Sequence, residues 1–425
     1  MKTTQTDTYA AGDGGTVVIN GWASGVNNTA ADIDILPSQL RDAVNVDIRD
    51  SGTPKRRTGY TALPITDPVQ SVFAAKDFFL YKSGPIITSV NTALETIDTQ
   101  SGFEPASHLA CVNINGDLYV SDGRKSAKMY ASTGVITDWS IPAPSTAPTL
   151  SVTTGTLPAG TYMVCTTNVS AYGEESPASS ITTITLESEG GIIVSGLSAN
   201  PDAVVDNVRV YASHADGAEL YWNGYAVAAG TTYTTINSTA YSHALETRGM
   251  ARVPVGDVLA LSAGRLCSAK GRFVYYSAPL RFGVCKPDTD FLYFTKPVTL
   301  MYGTANGLYV CAGKTYYIAN LGSEDMSQTE LLPYGAVKGT LAVLKDNVGA
   351  LWMSDAGVVR AIAAGPEITN LSIPRGVAIN AARSGAGIIR QHDGMQTAIF
   401  VNNSPEGTLM ASGDFFNAEV IRNNQ

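Results

Sequence analysis

The chain is short of charge. Only 15% of its 425 residues are Asp, Glu, Lys or Arg, against ~25% in ordinary globular domains, so long solvated helices have little to be made from. It lacks any apolar run near the ~18–20 residues that a membrane helix needs, and no helical membrane span is expected. The opening MKTTQTDTYAAGDGG has no apolar core and does not read as a secretory signal. A soluble protein is expected, one that leaves a cell within an assembly or by lysis. The five cysteines, Cys111, Cys165, Cys267, Cys285 and Cys311, are odd in number and far apart. With no CxxC pair they outline neither a disulfide framework nor a zinc site, and buried free thiols in a reducing cytoplasm are expected.

Other absences concern chemistry. The histidines, His108, His214, His243 and His392, are scattered; there is no HExxH, no His pair at i, i+4 and no acidic calcium loop. No P-loop, no GxGxxG that opens a helix and no GxSxG elbow occurs. No catalytic residue, metal or cofactor is therefore expected. The net charge of −9 argues against a surface built to hold nucleic acid, which neutralises phosphates with clustered cations.

What is present points to strands. The 41 Gly, 20 Pro and 20 Tyr, among abundant Ser, Thr, Val and Ala, describe an all-β chain with tight turns. A hairpin theme recurs at 71–90 and at 112–123, where Asn115–Gly116 is a strong turn signal. It returns at 261–279, 302–321, 342–363 and 388–402, each copy pairing an apolar strand with an aromatic-rich one such as DLYVS, RFVYYS, GLYVC or ALWMS. Copies spaced by about 35–45 residues match propeller blades, sheets that cannot bury both faces alone. About six blades are expected.

The theme stops between about 143 and 250. A Pro/Ser/Thr-rich joint over 143–155 leads into 160–180, a strand followed by a turn at Tyr172–Pro177, and then strands at 192–196, 207–213 and 219–227; this rhythm suits a small β-sandwich. Val208, Val210 and Ala212 should share one face. The expected organisation is an N-terminal arm over 1–16, a first part of the propeller core over 17–142, an inserted fibronectin-type sandwich over 143–250, the second part of the core over 251–403, and a C-terminal tail over 404–425. Near the start, LPSQLRDAVNV (36–46) reads as a short helical turn or strand entry, with Pro37 at its start and Ser38 as cap. NVDIRDSGTPKRRTG then reads as strand, turn and basic strand.

Few polar residues invite a role. Asp117 and Asp122, and the corresponding Asp346 and Asp355, could flank a glycosidic bond, but Asp in a hairpin turn ordinarily bonds its own backbone. SDAG also lacks the aromatic residue of the sialidase Asp-box. Lys55, Arg56 and Arg57 form the densest basic cluster and are candidate interface or lumen contacts. Trp139, Trp222 and Trp352 read as packing residues.

Two stretches carry a family likeness. Residues 25–63, with Asn27, Leu36, Pro37, Ala43, Asn45, Val46, Gly52, Pro54, Arg56 and Arg57 as landmarks, resemble the opening of tail proteins of short-tailed bacteriophages. Residues 303–362 resemble propeller blades of the tail nozzle (tail hub, tail-tubular-B-like) proteins of these phages, and 160–179 is similar to fibronectin-type modules of phage tails. The resemblance implies a homo-hexameric nozzle in the virion tail, assembled in the host bacterial cytoplasm. It would bind a head-to-tail adaptor protein above and a tail fibre or spike protein below, and genomic DNA would pass through its lumen without specific binding. The rival expectations are a carbohydrate-binding or carbohydrate-cleaving propeller and a monomeric adhesin with a fibronectin spacer.

Overall fold

The computed structural model describes residues 21–44, 46–48, 52–56, 68–197, 205–228, 233–237, 242–373, 384–392, 395–402 and 420–422. Within them the chain is all-β, with two single 3-10 turns, Asp32–Asp34 and Lys345–Asn347.

A small motif comes first. Strands β1 (Val46–Ile48) and β2 (Pro54–Arg56) pair antiparallel, Val46 opposite Arg56, as the strand–turn–basic strand pattern predicts. Ahead of them residues 22–40 fold back through Asn27 N to Leu40 O and Leu40 N to Gly25 O bonds. Gly52, at φ +78°, lets the hairpin turn touch this loop: a Cβ there would stand 2.8 Å from the Ala23 nitrogen. Of the two expectations for 36–46 the strand entry holds, since Leu40 bridges Val26 and the chain runs into β1 at Val46, whereas no helical turn capped by Ser38 forms. The Ser38 hydroxyl instead meets Ser24 Oγ at 2.9 Å, and the turn falls earlier, over Asp32–Asp34. Leu36, Leu40 and Val44 stand at helical spacing, but Leu36 and Val44 are exposed, so a helix here would bury too little to offset the cost of starting one.

Six small antiparallel meanders follow. Blade 1 is β3 (Val69–Ala74), β4 (Phe78–Ser83), β5 (Ile86–Asn91) and β6 (Thr96–Ser101); blade 2 is β7 (Ala110–Ile114), β8 (Asp117–Ser121), β9 (Ser126–Met129) and β10 (Ile136–Thr137). After an insertion come β18 (Ala251–Arg252) and blade 3, made of β19 (Val258–Ser262), β20 (Arg265–Lys270), β21 (Phe273–Tyr276) and β23 (Phe291–Tyr293). Between β21 and β23, β22 (Val284–Cys285) pairs with β18. Blade 4 is β24 (Leu300–Gly303), β25 (Gly307–Cys311), β26 (Thr315–Ala319) and β27 (Ser327–Leu332). Blade 5 is β28 (Ala342–Val343), β29 (Gly349–Ser354), β30 (Gly357–Ile362) and β31 (Ile368–Asn370). Blade 6 is β32 (Gly385–His392), β33 (Met395–Asn402) and β34 (Val420–Arg422), the last from the stretch expected as a tail.

Alternation along each strand gives a blade two faces, and apolar residues on both join it to its neighbours. Leu80 and Ile87 of blade 1 meet Leu118 and Met129 of blade 2. On the other face of blade 2, Ile114 and Tyr119 meet Leu259 and Leu266 of blade 3. Val274 of blade 3 meets Leu308 of blade 4, Tyr309 of blade 4 meets Trp352 of blade 5, and Met353 of blade 5 meets Phe400 of blade 6. First strands of neighbouring blades lie side by side, β7 by β19 and β19 by β24. At Gly303 this approach leaves no room for a side chain, since a Cβ would sit 2.0 Å from the Leu261 carbonyl oxygen. Six radially packed meanders make a β-propeller-like core, with the blade number that the hairpin spacing predicts.

The insertion is a seven-stranded sandwich, the strand number of fibronectin-type modules. A three-stranded sheet, ordered β11 (Thr149–Leu157), β14 (Gly190–Ser195), β17 (Tyr233–Ile236), covers a four-stranded one. The second sheet runs β13 (Thr182–Leu186), β12 (Gly160–Ser170), β15 (Val205–Ala212), β16 (Tyr221–Ala228). Val208, Val210 and Ala212 do share a face, and they pack on Tyr162, Ile192 and Val194 between the sheets.

Candidate functional site

The most densely organised polar cluster lies where the sandwich meets blade 2. Lys128 in β9 stands opposite Tyr119 in β8, so its side chain leaves the face turned toward blade 3. Its ammonium lies 2.7 Å from Glu174 Oε1 and 3.5 Å from Asp117 Oδ2. It also sits 4.2 Å from the ring centre of Tyr130 and 5.2 Å from that of Tyr119. Tyr130 in turn stacks on Tyr172, centroid to centroid 4.3 Å. Tyr172 and Glu174 belong to the turn after β12, so the sandwich is pinned to the blade by a cation, a carboxylate and two rings. Burial works against the Lys128 charge, but Tyr119 and then Glu174 outweigh it and hold its pKa above the ordinary lysine value.

The next residue faces the other way. Glu175 accepts from Thr167 Oγ1 at 2.6 Å and from the Tyr211 hydroxyl at 2.6 Å, and it pairs with Arg209 at 3.0 Å. Arg209 lies over Trp222, 4.8 Å from its ring centre. One glutamate of the turn thus holds the blade and its neighbour holds the sandwich. Further ties lie near both crossings, some between the two units and, at Arg252, some between the two parts of the propeller core. Asn168 Nδ2 donates to the Pro142 carbonyl at 2.9 Å; on the return, Arg252 reaches Ser126 Oγ at 3.2 Å and Asp138 at 3.4 Å, and Arg281 pairs with Glu246.

The acids considered for glycoside chemistry do not converge on a shared site. Asp117 Oδ1 accepts from Ala131 N at 2.9 Å. Asp122 accepts from Arg124 N at 2.8 Å, Lys125 N at 2.7 Å and Glu104 N at 2.6 Å, the backbone-capping role expected of a turn aspartate. Asp346 and Asp355 lie exposed in the turns that flank β29. An open groove of about 350 Å³ between blades 2 and 3 is lined by Glu104, Asp122, Arg124, Asp257 and Lys270. Its acids are engaged: Glu104 with Arg124 at 3.2 Å, Asp257 with Lys338. Beside it the buried Lys82 donates to the carbonyls of Pro105 at 3.1 Å and Ser107 at 2.8 Å. Burial lowers the Lys82 pKa, opposed by the charges of Asp122 and Glu104.

Of the basic cluster, Lys55 and Arg56 are exposed on β2, and Arg57 lies outside the described residues, as does the arm over 1–16. Among the described residues no group of three or more His, Cys, Asp or Glu could hold a metal, and no helix is long and apolar enough to cross a membrane. All five cysteines are free. Burial pushes the thiols of Cys165, Cys267, Cys285 and Cys311 up to about 12. Trp139 and Trp352 are fully buried, as packing residues should be. The joint itself escapes a reading of sequence, since Lys128 and Glu174 are separated by 46 positions; the paired acids of the Tyr172–Pro177 turn are its one visible trace.

No family model matches the chain, and no curated protein matches it. Among solved structures it is similar to the Dos1 propeller, with 10% identity and a TM-score of 0.34 over 84% of this chain and 79% of that one. The Cps50 (Swd1) β-propeller domain of Myceliophteria thermophila gives 8% identity and 0.33 over 81% and 96%. Hsv2 of Kluyveromyces lactis gives 8% and 0.29 over 79% and 90%. Likenesses this remote say nothing of function, and the propeller-like fold stands on the order and packing of its own six sheets.

Proposed function

We propose that this protein is a non-enzymatic structural component of a short-tailed phage tail, a nozzle or hub. Six copies would form a ring that extends the ejection channel below portal and adaptor and supports fibres or spikes. The observation that carries the reading is the joint around Lys128. An ion pair on a buried lysine, a tyrosine stack and the Asn168–Pro142 and Arg281–Glu246 ties hold the sandwich against the propeller, which a wall segment under pressure requires and a flexible adhesin spacer does not. The likeness of residues 25–63 and 303–362 to nozzle proteins supplies the identity of the assembly. The acidic balance, 37 Asp and Glu against 28 Lys and Arg, suits a lumen that DNA slides through without adhering. Lys55 and Arg56, exposed on β2, are then subunit or adaptor contacts, and the protein's place is the virion tail.

Native mass and negative-stain imaging of the full chain test this. A six-fold ring with an axial hole is expected. A monomer at every concentration overturns the reading, and turnover of a glycan by that monomer would establish the carbohydrate-active propeller in its place.

A further inference from the structure

Blade 3 has one face that is only half covered. Its inner residues Leu259 and Leu266 pack on blade 2. Farther out, the same face carries Phe273 opposite Tyr293 and Tyr275 opposite Phe291. The four rings touch one another, with Phe273 centred 5.2 Å from Tyr293 and 5.8 Å from Phe291. Tyr293 is nonetheless 53% exposed and Phe273 is exposed as well. Aromatic residues in such a patch are the ones that protein interfaces favour. In sequence the stretch is basic within an acidic chain, with five Lys or Arg against two Asp from Lys270 to Lys296. The acids of the groove beside Lys270 are already engaged, Glu104 by Arg124, Asp122 by backbone amides and Asp257 by Lys338.

The complementary surface is the loop of the N-terminal motif. Ile33 is 90% exposed, Val44 is 73% exposed, and Leu36 is exposed between them. These apolar side chains stand among Asp32, Asp34 and Asp42, with Arg41 the single cation of the stretch. The bonds that fold the loop, Ser24 N to Ser38 O and Leu40 N to Gly25 O, run within the motif and leave this apolar edge outward.

We infer that residues 31–44 of one copy dock on the aromatic face of blade 3 of the next, Ile33, Leu36 and Val44 covering the rings while the aspartates meet Lys270 and Arg272. The two surfaces differ, so the contact is head-to-tail, the kind that closes into a ring when its rotation allows. Charge complementarity sets the register and speeds encounter, and the rings supply the buried area. This inference deepens the ring-forming reading proposed above and rests on it.

The test uses full-length protein. Chains carrying Ile33→Cys are mixed with chains carrying Tyr293→Cys under mild oxidation, each variant alone serving as control, and native mass follows assembly. An intermolecular disulfide formed only in the mixture is expected. A double swap on either side, Asp34→Lys with Asp42→Lys or Lys270→Glu with Arg272→Glu, should weaken self-association about tenfold or more, and combining both should restore most of it. Thermal melting of each variant confirms that it is folded. Rings that assemble without the cross-link and ignore the swaps overturn this docking and leave the nozzle reading standing. A chain that is monomeric throughout overturns both.

Discussion

Two ion pairs in this chain look alike on paper and differ in kind. Lys128–Glu174, at the joint between sandwich and blade 2, involves a lysine side chain only 5% exposed. Arg41–Asp32, in the N-terminal motif, places its carboxylate at 92% exposure. The first sits against two tyrosine rings and meets a second carboxylate, so each group loses water and regains partners. The second stays in solvent, where such pairs contribute about 0–1 kcal/mol. Burial, more than distance, decides which pair organises the fold. The exposed one belongs to a surface that has kept its charges and apolar side chains available.

The comparison can be broken at either end. Lys128→Met should have the largest effect, because it strands Glu174 and Asp117 beside a hole in the charge pattern. Because Glu174 keeps 37% and Asp117 26% of its side-chain exposure, the loss should be that of hydrogen bonds to charged groups, about 1.5–3 kcal/mol, read as a lower midpoint of chemical unfolding. A loss under about 1 kcal/mol would place the pair with surface bridges. Tyr172→Ala removes the ring stacked on Tyr130 and should cost about 0.5–1.5 kcal/mol beyond its lost apolar area, measured in a double-mutant cycle with Tyr130→Ala. Arg41→Ala should change stability by no more than about 1 kcal/mol and leave the melting curve almost where it was.

Alkali sharpens the contrast. The folded-state pKa of Lys128 lies above the ordinary 10.5. Its contribution to stability is therefore complete below that ordinary value and is lost only as pH climbs through the higher folded one. Sandwich and propeller should stay docked, by limited proteolysis within 143–150, at a pH where exposed lysines have already titrated. Cys165 provides an internal reporter: with its thiol raised to about 12, it should resist alkylation at pH 8–10 in the native protein. Because it packs within the sandwich on Tyr211 and Leu220, it should remain protected in Lys128→Met. Labelling there would show that the substitution unfolds the sandwich and does not merely release it.

Much of the architecture was legible because strand patterns are local. DLYVS and ALWMS became β8 and β29, with their apolar residues buried, since alternation and a turn suffice to specify a hairpin. Outer strands such as TIDTQS, now β6, carry little apolar signal because their edge faces water. LPSQLRDAVNV fitted two readings for a related reason: Pro37 and Ser38 suit a helix start, yet a fold-back loop and the Ser24 hydroxyl claim them, and the segment runs on into β1 as a strand entry. The joint depends on residues far apart in sequence, and no local pattern records that Lys128 waits for Glu174. Of the hairpin-turn aspartates, Asp122 does cap its neighbours, the amides of Arg124 and Lys125, whereas Asp117 serves Ala131 N and Lys128, which the turn alone does not announce.

The adjacent glutamates of the Tyr172–Pro177 turn have a consequence for how this protein can change. Glu174 and Glu175 point in opposite directions, one to Lys128 and one to Arg209, so the turn has a parity. Inserting or deleting one residue between Ser170 and Glu174 would aim each carboxylate at the wrong partner, leaving Lys128 with Asp117 alone and Arg209 without its glutamate. Two residues would restore direction but overshoot the reach. The turn is a fixed count, and a sandwich grafted from another protein would need the same count to seat.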